Sequence, residues 1–234
     1  MVKAAKKSLG IIGRGRFGRL AERLLSRHFR TLVYDLKREE CTATLEEAAA
    51  SDIVLLCVHA SSLEDAVRQI RPHVRKGALV MDVCSVKEYP AGVLRKGLPQ
   101  ADLISTHPLF GPDSYSRPGS RRIVLCPVRI SQARLKKVKD FMAGLGLRVM
   151  ETTPEEHDRQ AAFSLALIHA IGRSFPSGAP EIKTMNSELM AGIKERVESD
   201  SYQLFLDMLR YNRFARPALI GFGKRIMELA GKNG

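Results

Sequence analysis

Three glycines within six residues, Gly13-Arg14-Gly15-Arg16-Phe17-Gly18, follow an apolar run and open a segment of helical spacing. A turn of this kind is suited to holding phosphate. Gly13 permits the tight turn, Gly15 lets an anion approach the backbone, and Gly18 lets the next helix pack closely on the strand. The helix N-terminus then offers N–H groups and the positive end of its dipole to a pyrophosphate. Arg14, Arg16 and Phe17 ride on the same loop and join the candidate cofactor site. Asp35 ends the next apolar run, about twenty residues on, where an acid accepts hydrogen bonds from an adenosine ribose. Together these residues predict a dinucleotide site. Asp35 favours NAD, while Lys37 and Arg38 could hold a 2′-phosphate and keep NADP open.

The other reactive side chains are less specific on residue type alone. His107 precedes Pro108 and reads as a strand-end histidine in a rigid turn. His157-Asp158 lies at a helix start, where acids are dipole-favoured and either residue could simply cap. His169 sits further along that helix among Leu165, Ile168 and Gly172, the setting of a core histidine. Cys41, Cys57, Cys84 and Cys126 show no metal-ligand spacing, so no metal site is expected, and free thiols suit a reducing compartment.

The elements that must position these residues follow from hydrophobic patterning. Apolar runs at Leu9–Ile12, Thr31–Tyr34, Ile53–Val58, Ala78–Asp82, Leu103–Thr106, Ile123–Cys126 and Leu147–Met150 alternate with helical segments, the pattern of a parallel sheet covered by helices. Phe17, Leu20, Ala21, Leu24 and Leu25 form one helical stripe, and Leu135, Val138 and Met142 another within Gln132–Ala143. After Met150 the pattern changes. Thr153-Pro154-Glu155-Glu156 starts a helix reaching about Phe175, a polar break spans Pro176-Ser177-Gly178-Ala179-Pro180, and two or three helices follow. The expected architecture is α/β: a Rossmann-type, doubly wound, mostly parallel sheet over residues 1–150, then a small all-helical domain over 151–234. Leu204, Phe205, Met208, Leu209, Leu219, Ile220 and Phe222 give that helical domain an apolar surface expected to close in a homodimer.

Three segments carry a resemblance to a known family: Asp82-Val83-Cys84-Ser85-Val86-Lys87, then Thr106-His107-Pro108-Leu109-Phe110-Gly111-Pro112, then Glu156-His157-Asp158 with His169-Ala170-Ile171-Gly172-Arg173. A weaker match covers Glu198-Ser199-Asp200-Ser201-Tyr202 and Tyr211-Asn212. In this order they resemble the prephenate/arogenate dehydrogenases of tyrosine biosynthesis, in particular the plant and cyanobacterial arogenate-type branch. The resemblance implies oxidative decarboxylation of arogenate or prephenate with hydride transfer to NAD(P). It makes His107 the catalytic histidine, Ser85 its support or a substrate contact, and His169 a substrate contact. Asp113 falls where family members often carry an acid facing the active site. The chain departs from the family at Ala166, where many prephenate-specific members have a second histidine. No arginine aligns securely with the one that grips a substrate carboxylate: Arg196 is one position away, and Arg173 and Arg213 are further candidates.

Two rivals follow from the same residues. Other dehydrogenases of this architecture, of the β-hydroxyacid dehydrogenase or imine reductase type, rely on a helical-domain lysine, for which Lys183 and Lys194 are available, but they leave the His107 segment unexplained. The formal charge of +13 alone suggests a non-catalytic cofactor- or nucleic-acid-binding protein. Arg and Lys are spread along the chain without zinc-finger spacing, an aromatic ribonucleoprotein motif or a block of six like charges, so nucleic acid is not the expected partner. The basic start at Lys3, Lys6 and Lys7 is followed by charged loop residues rather than an export signal, and no apolar run is long enough for a bilayer. A cytoplasmic protein is expected.

Overall fold

The computed structural model describes residues 6–176, 178 and 182–231. Lys3 and, from the expected polar break, Ser177, Ala179 and Pro180 lie outside the described residues. The chain divides into two compact units, Met1–Pro154 and Glu155–Gly234.

The first unit is built on a seven-stranded sheet, ordered β2-β1-β3-β4-β5-β6-β7. The strands are β1 (Ser8–Ile12), β2 (Arg30–Tyr34), β3 (Ile53–Leu56), β4 (Leu79–Asp82), β5 (Asp102–Pro108), β6 (Arg122–Arg129) and β7 (Arg148–Glu151). All neighbours run parallel except β5 and β6. Helices α1 (Arg16–Leu25), α2 (Leu45–Ala49), α3 (Ala60–Ile70), α4 (Glu88–Gly97) and α5 (Gln132–Gly144) make the connections. The chain leaves β1 outward to β2, then crosses back to β3 on the other side. That reversal opens a crevice at the C-terminal ends of β1 and β3, the place where open α/β sheets bind ligands.

The central strands are buried on both faces, as near-continuous apolar runs require. Leu9, Ile11, Leu55, Leu79, Met81, Ile104 and Leu125 form one cluster with Leu135 and Met142 of α5 and Ala21 of α1. Gly10 of β1 is dictated by packing, because a Cβ there would stand 1.8 Å from the Ala48 carbonyl oxygen of α2.

Strand lengths depart from the sequence expectation where the partner strand decides them. β3 ends at Leu56, not Val58, since the chain turns into α3 once Cys57 N–H has bonded to the Ile12 carbonyl. β5 runs on to Pro108 because His107 and Pro108 pair with Val124 and Ile123 of the antiparallel β6. No local pattern in either strand announces that pairing.

The second unit is helical. A helix begun by Pro154 comprises α6 (Pro154–Ala161), a π-helical turn (Ala162–Leu167) and α7 (Ile168–Ser174). Three further helices follow among the described residues: α8 (Met185–Ser199), α9 (Tyr202–Tyr211) and α10 (Ala215–Gly231). α7 lies tightly on α8, with a Cβ on Gly172 placed 2.7 Å from Val197 Cγ2. The expected apolar surface is partly corrected: Phe205 and Met208 are buried and build the unit's own core, whereas Ile220 and Phe222 are exposed and continue into Ile226 and Met227 of α10. No helix among the described residues is long and apolar enough to cross a membrane.

Candidate active site

The glycine loop joins β1 to α1 as the spacing requires. Gly13 has φ +96°, a conformation that favours glycine, and donates its N–H to the Tyr34 carbonyl at 2.8 Å. The three glycines differ in cause. A Cβ on Gly13 would stand 2.5 Å from the Cys57 carbonyl oxygen, and one on Gly18 would stand 2.1 Å from the Gly13 carbonyl oxygen. Those two positions are closed by the protein itself. Around Gly15 nothing lies within 4 Å of such a Cβ, and no side chain caps the N-terminus of α1. Packing among the described residues does not require a glycine at position 15, and the open loop at the start of α1 fits a dinucleotide pyrophosphate.

Asp35 anchors the loop. Its carboxylate accepts from Arg14 N–H at 2.6 Å and from Lys37 N–H at 3.0 Å, and lone pairs remain for a ribose hydroxyl. The Arg14 side chain bridges Glu22 and Glu40, each at 2.8 Å, so it braces the loop rather than reaching outward. Arg16 pairs with Asp113, tying the loop after β5 to the glycine loop through two exposed side chains. Phe17 packs on Phe110, with ring centroids 6.1 Å apart.

A fully buried charge pair stands at the ends of β4 and β5. Lys87 Nζ donates to Asp82 Oδ1 at 2.5 Å, to Ser105 Oγ at 2.9 Å and to the Thr106 carbonyl at 2.6 Å. Ser105 Oγ donates to Asp82 Oδ2 at 2.5 Å, and Cys84 N–H donates to Asp82 Oδ1 at 3.0 Å. Both ions of the pair have no exposed side-chain surface. Three acceptors match the three donors of an ammonium. The network grips the turn that carries Ser85 at one end and the strand that carries His107 at the other. His107 itself is 7% exposed, and Ser85 is half-buried. The four cysteines are free, and burial, with Asp82 nearby, pushes the Cys57 thiol up, so it stays protonated.

The helical unit buries an unusual set of polar groups. His157 Nδ1 lies 2.8 Å from Asp158 Oδ1, and the Asp158 carbonyl accepts from Asn212 Nδ2 at 2.7 Å. These residues are interior ties between α6 and the end of α9 rather than exposed helix caps. His169 stacks on Phe205 with an interplanar angle of 11°. Its Nε2 faces Asp200 at 3.7 Å, while its buried Nδ1 has no hydrogen-bond partner among the described residues. Burial, helped by the Arg173 charge, pushes His169 down to about 4, so its ring is neutral at pH 7. Arg173 donates to the Val197 and Asp200 carbonyls at 2.6 and 3.0 Å and lies over the Tyr202 and Phe205 rings, capping α8, and its Nε is buried without a partner among the described residues. Arg196 is exposed on α8, and Arg213 pairs with Glu155 at 3.0 Å. Of the rival lysines, Lys183 is exposed and Lys194 pairs with Glu198 at 2.7 Å. Among the described residues no cluster could hold a metal ion.

Comparison with known proteins follows the same lines. Residues 30–151 match the family model described as "Prephenate dehydrogenase, nucleotide-binding domain". The chain belongs to the prephenate dehydrogenase family. It is 30% identical over 233 residues to arogenate dehydrogenase 2, chloroplastic, of Arabidopsis thaliana, covering 90% of this chain and 65% of that protein. It is likewise 30% identical over 182 residues to a probable arogenate/prephenate dehydrogenase of Methanocaldococcus jannaschii, covering 72% and 40%. The chain thus spans from about two-fifths to just under two-thirds of the length of these relatives. The fold matches that of Aquifex aeolicus prephenate dehydrogenase, solved with hydroxyphenyl propionate and NAD+, with a TM-score of 0.74 and 20% identity over 98% of this chain and 91% of that one.

In this member of the prephenate dehydrogenase family, the sequence points to the glycine loop, Ser85 and His107 but gives no role to Asp82, Lys87 or Ser105. The signal was available: an acid and a lysine five residues apart, both inside an apolar context, must find each other when buried.

Two outcomes follow. Lys87→Met leaves the Asp82 carboxylate buried without its cation and costs about 3–5 kcal/mol in urea unfolding, and adding Asp82→Asn recovers a large part of that cost; additive losses would contradict the pairing. Because His169 is depressed in the fold, its contribution to stability is complete above about pH 6.5 and is lost as pH falls toward 4. The melting temperature of His169→Gln therefore falls less steeply than wild type between pH 6.5 and 4.

Proposed function

We propose that the protein catalyses oxidative decarboxylation of arogenate or prephenate, coupled to hydride transfer to NAD or NADP. The observation that carries this reading is His107, buried at the end of β5 and held beside the Ser85 turn at the same edge of the sheet as the glycine loop. Membership of the prephenate dehydrogenase family supports it, as do plant relatives named as arogenate dehydrogenases.

When bound, a nicotinamide ring supplies the hydride acceptor. The chain's own part is alignment and proton control. His107 as a neutral imidazole accepts the proton of the substrate's C4 hydroxyl as the C4 hydride departs. The electron pair of the ring-carboxylate bond then moves into the ring as carbon dioxide leaves, and the new phenol oxygen takes a proton back. Ser85 orients His107 or the hydroxyl. Gly13, Gly15 and Gly18 with the α1 N-terminus take the pyrophosphate, Arg14, Arg16 and Phe17 shape the loop, and Asp35 takes the ribose and favours NAD.

Substrate contacts are assigned to His169 and Arg173, whose partnerless buried Nδ1 and Nε are groups a polar ligand can satisfy, with Arg196 and Asp113 as further candidates. The exposed apolar side of α10 suits a homodimer, and four free thiols suit the cytoplasm. The lysine-dependent rivals lose ground, because Lys194 is already paired and neither lysine accounts for the His107 segment.

The test is reduced-nicotinamide absorbance with arogenate and prephenate, each against NAD and NADP. Turnover is expected with at least one pair, and His107→Asn lowers kcat by about two to four orders of magnitude with cofactor affinity kept. Silence in all four mixtures from folded, cofactor-binding protein, or full turnover by His107→Asn, overturns the assignment.

A further inference from the structure

Some arginines in the first unit pair with acids: Arg14 with Glu22 and Glu40, Arg19 with Glu40, and Arg134 with Asp102. Four others gather around one hollow. Arg117, Arg121, Arg122 and Arg148 line an open cavity of about 550 Å³ at the start of β6 and β7, and none of the four has an acidic partner among the described residues. Four guanidinium groups around one hollow repel one another, and an uncompensated group of this kind concentrates a positive field on the space between them.

The backbone that carries the group is held in place, as is the Arg121 side chain. Arg122 and Arg148 are register partners across β6 and β7, and Arg148 N–H donates to the Arg121 carbonyl at 2.8 Å. Arg121 Nε donates to the Tyr115 carbonyl at 3.1 Å, and its guanidinium lies 4.6 Å from the centre of the Tyr115 ring. Tyr115 in turn packs on Phe110. Ser120 Oγ bonds the Ser114 and Arg117 carbonyls, which fixes the turn bearing Arg117. The Arg121 side chain, braced in this way, loses less freedom on gripping an anion than an unbraced surface arginine does.

We propose that this cavity binds a compact polyanion, a small molecule with two or more adjacent phosphoryl or carboxylate groups. Its volume falls within the roughly 300–1,000 Å³ usual for small-ligand sites. It is separate from the cofactor loop: β3, β4 and β5 lie between β1 and β6, and no residue of that loop lines the cavity. A nucleic acid is the poorer occupant. The arginines surround one hollow rather than tracking a backbone, and the nearby aromatic ring is already covered by Arg121.

Isothermal titration of the whole protein with inorganic triphosphate and with citrate, each with NAD saturating, tests the site. The expected result is one saturable site per chain for at least one probe, the tighter of the two marking the preferred head group. Affinity falls at least tenfold in Arg121→Ala/Arg148→Ala and also in Arg117→Glu, a second variant confined to an exposed turn. Absence of saturable binding, affinity unchanged in both variants, or displacement of the probe by NAD overturns the proposal. So does a DNA duplex that binds more tightly than either probe and is lost in the same variants, since the occupant is then nucleic acid.

Discussion

The ammonium of Lys87 is sealed from bulk solvent, and the arrangement of the sheet edge that carries Ser85 and His107 follows from that fact. A buried ion is tolerated only if its charge is opposed and all its protons are taken up. Asp82 opposes the charge from the end of β4, and Ser105 and the Thr106 carbonyl take the remaining protons from β5. The six-residue segment from Asp82 to Lys87 must therefore fold back on its own strand and over the next one. Ser85 is carried on that turn, and His107 follows two residues after Ser105. The side chains assigned to chemistry are placed by a neighbouring pair that does none.

The cofactor side is governed by sterics rather than charge. Gly13 and Gly18 are required because the backbones of β1, β3 and α1 come within contact of one another, and Asp35 then fastens Arg14 N–H so that the loop keeps its shape. Gly15 alone of the three meets none of the described atoms. A motif that looks uniform in sequence divides into two positions the fold requires and one it leaves open.

Legibility in the sequence followed the range of the forces involved. The alternation of strands and helices, the glycine loop and the helix start at Pro154 rest on local patterns and were readable. The antiparallel extension of β5 to Pro108 was not, because the partner strand that causes it begins fourteen residues further on. His157 and Asp158 have the sequence appearance of exposed helix-start residues, yet they are interior, because the chain returns more than fifty residues later to place Asn212 against them. Arg173 suggested a carboxylate grip from its residue type, and its Nη2 is occupied by the carbonyls that end α8. Buried polar networks depend on which distant elements meet, and residue type alone does not carry that information.

Hydrogen exchange followed by mass spectrometry on Lys87→Met most directly tests whether this buried cation organises the edge that carries Ser85 and His107. Segments 83–87 and 105–109 should lose protection together while β1 and β2 keep theirs. Unchanged exchange at residues 105–109, or a uniform loss across the whole sheet, would contradict a local role for Lys87 in holding Ser85 and His107 in place.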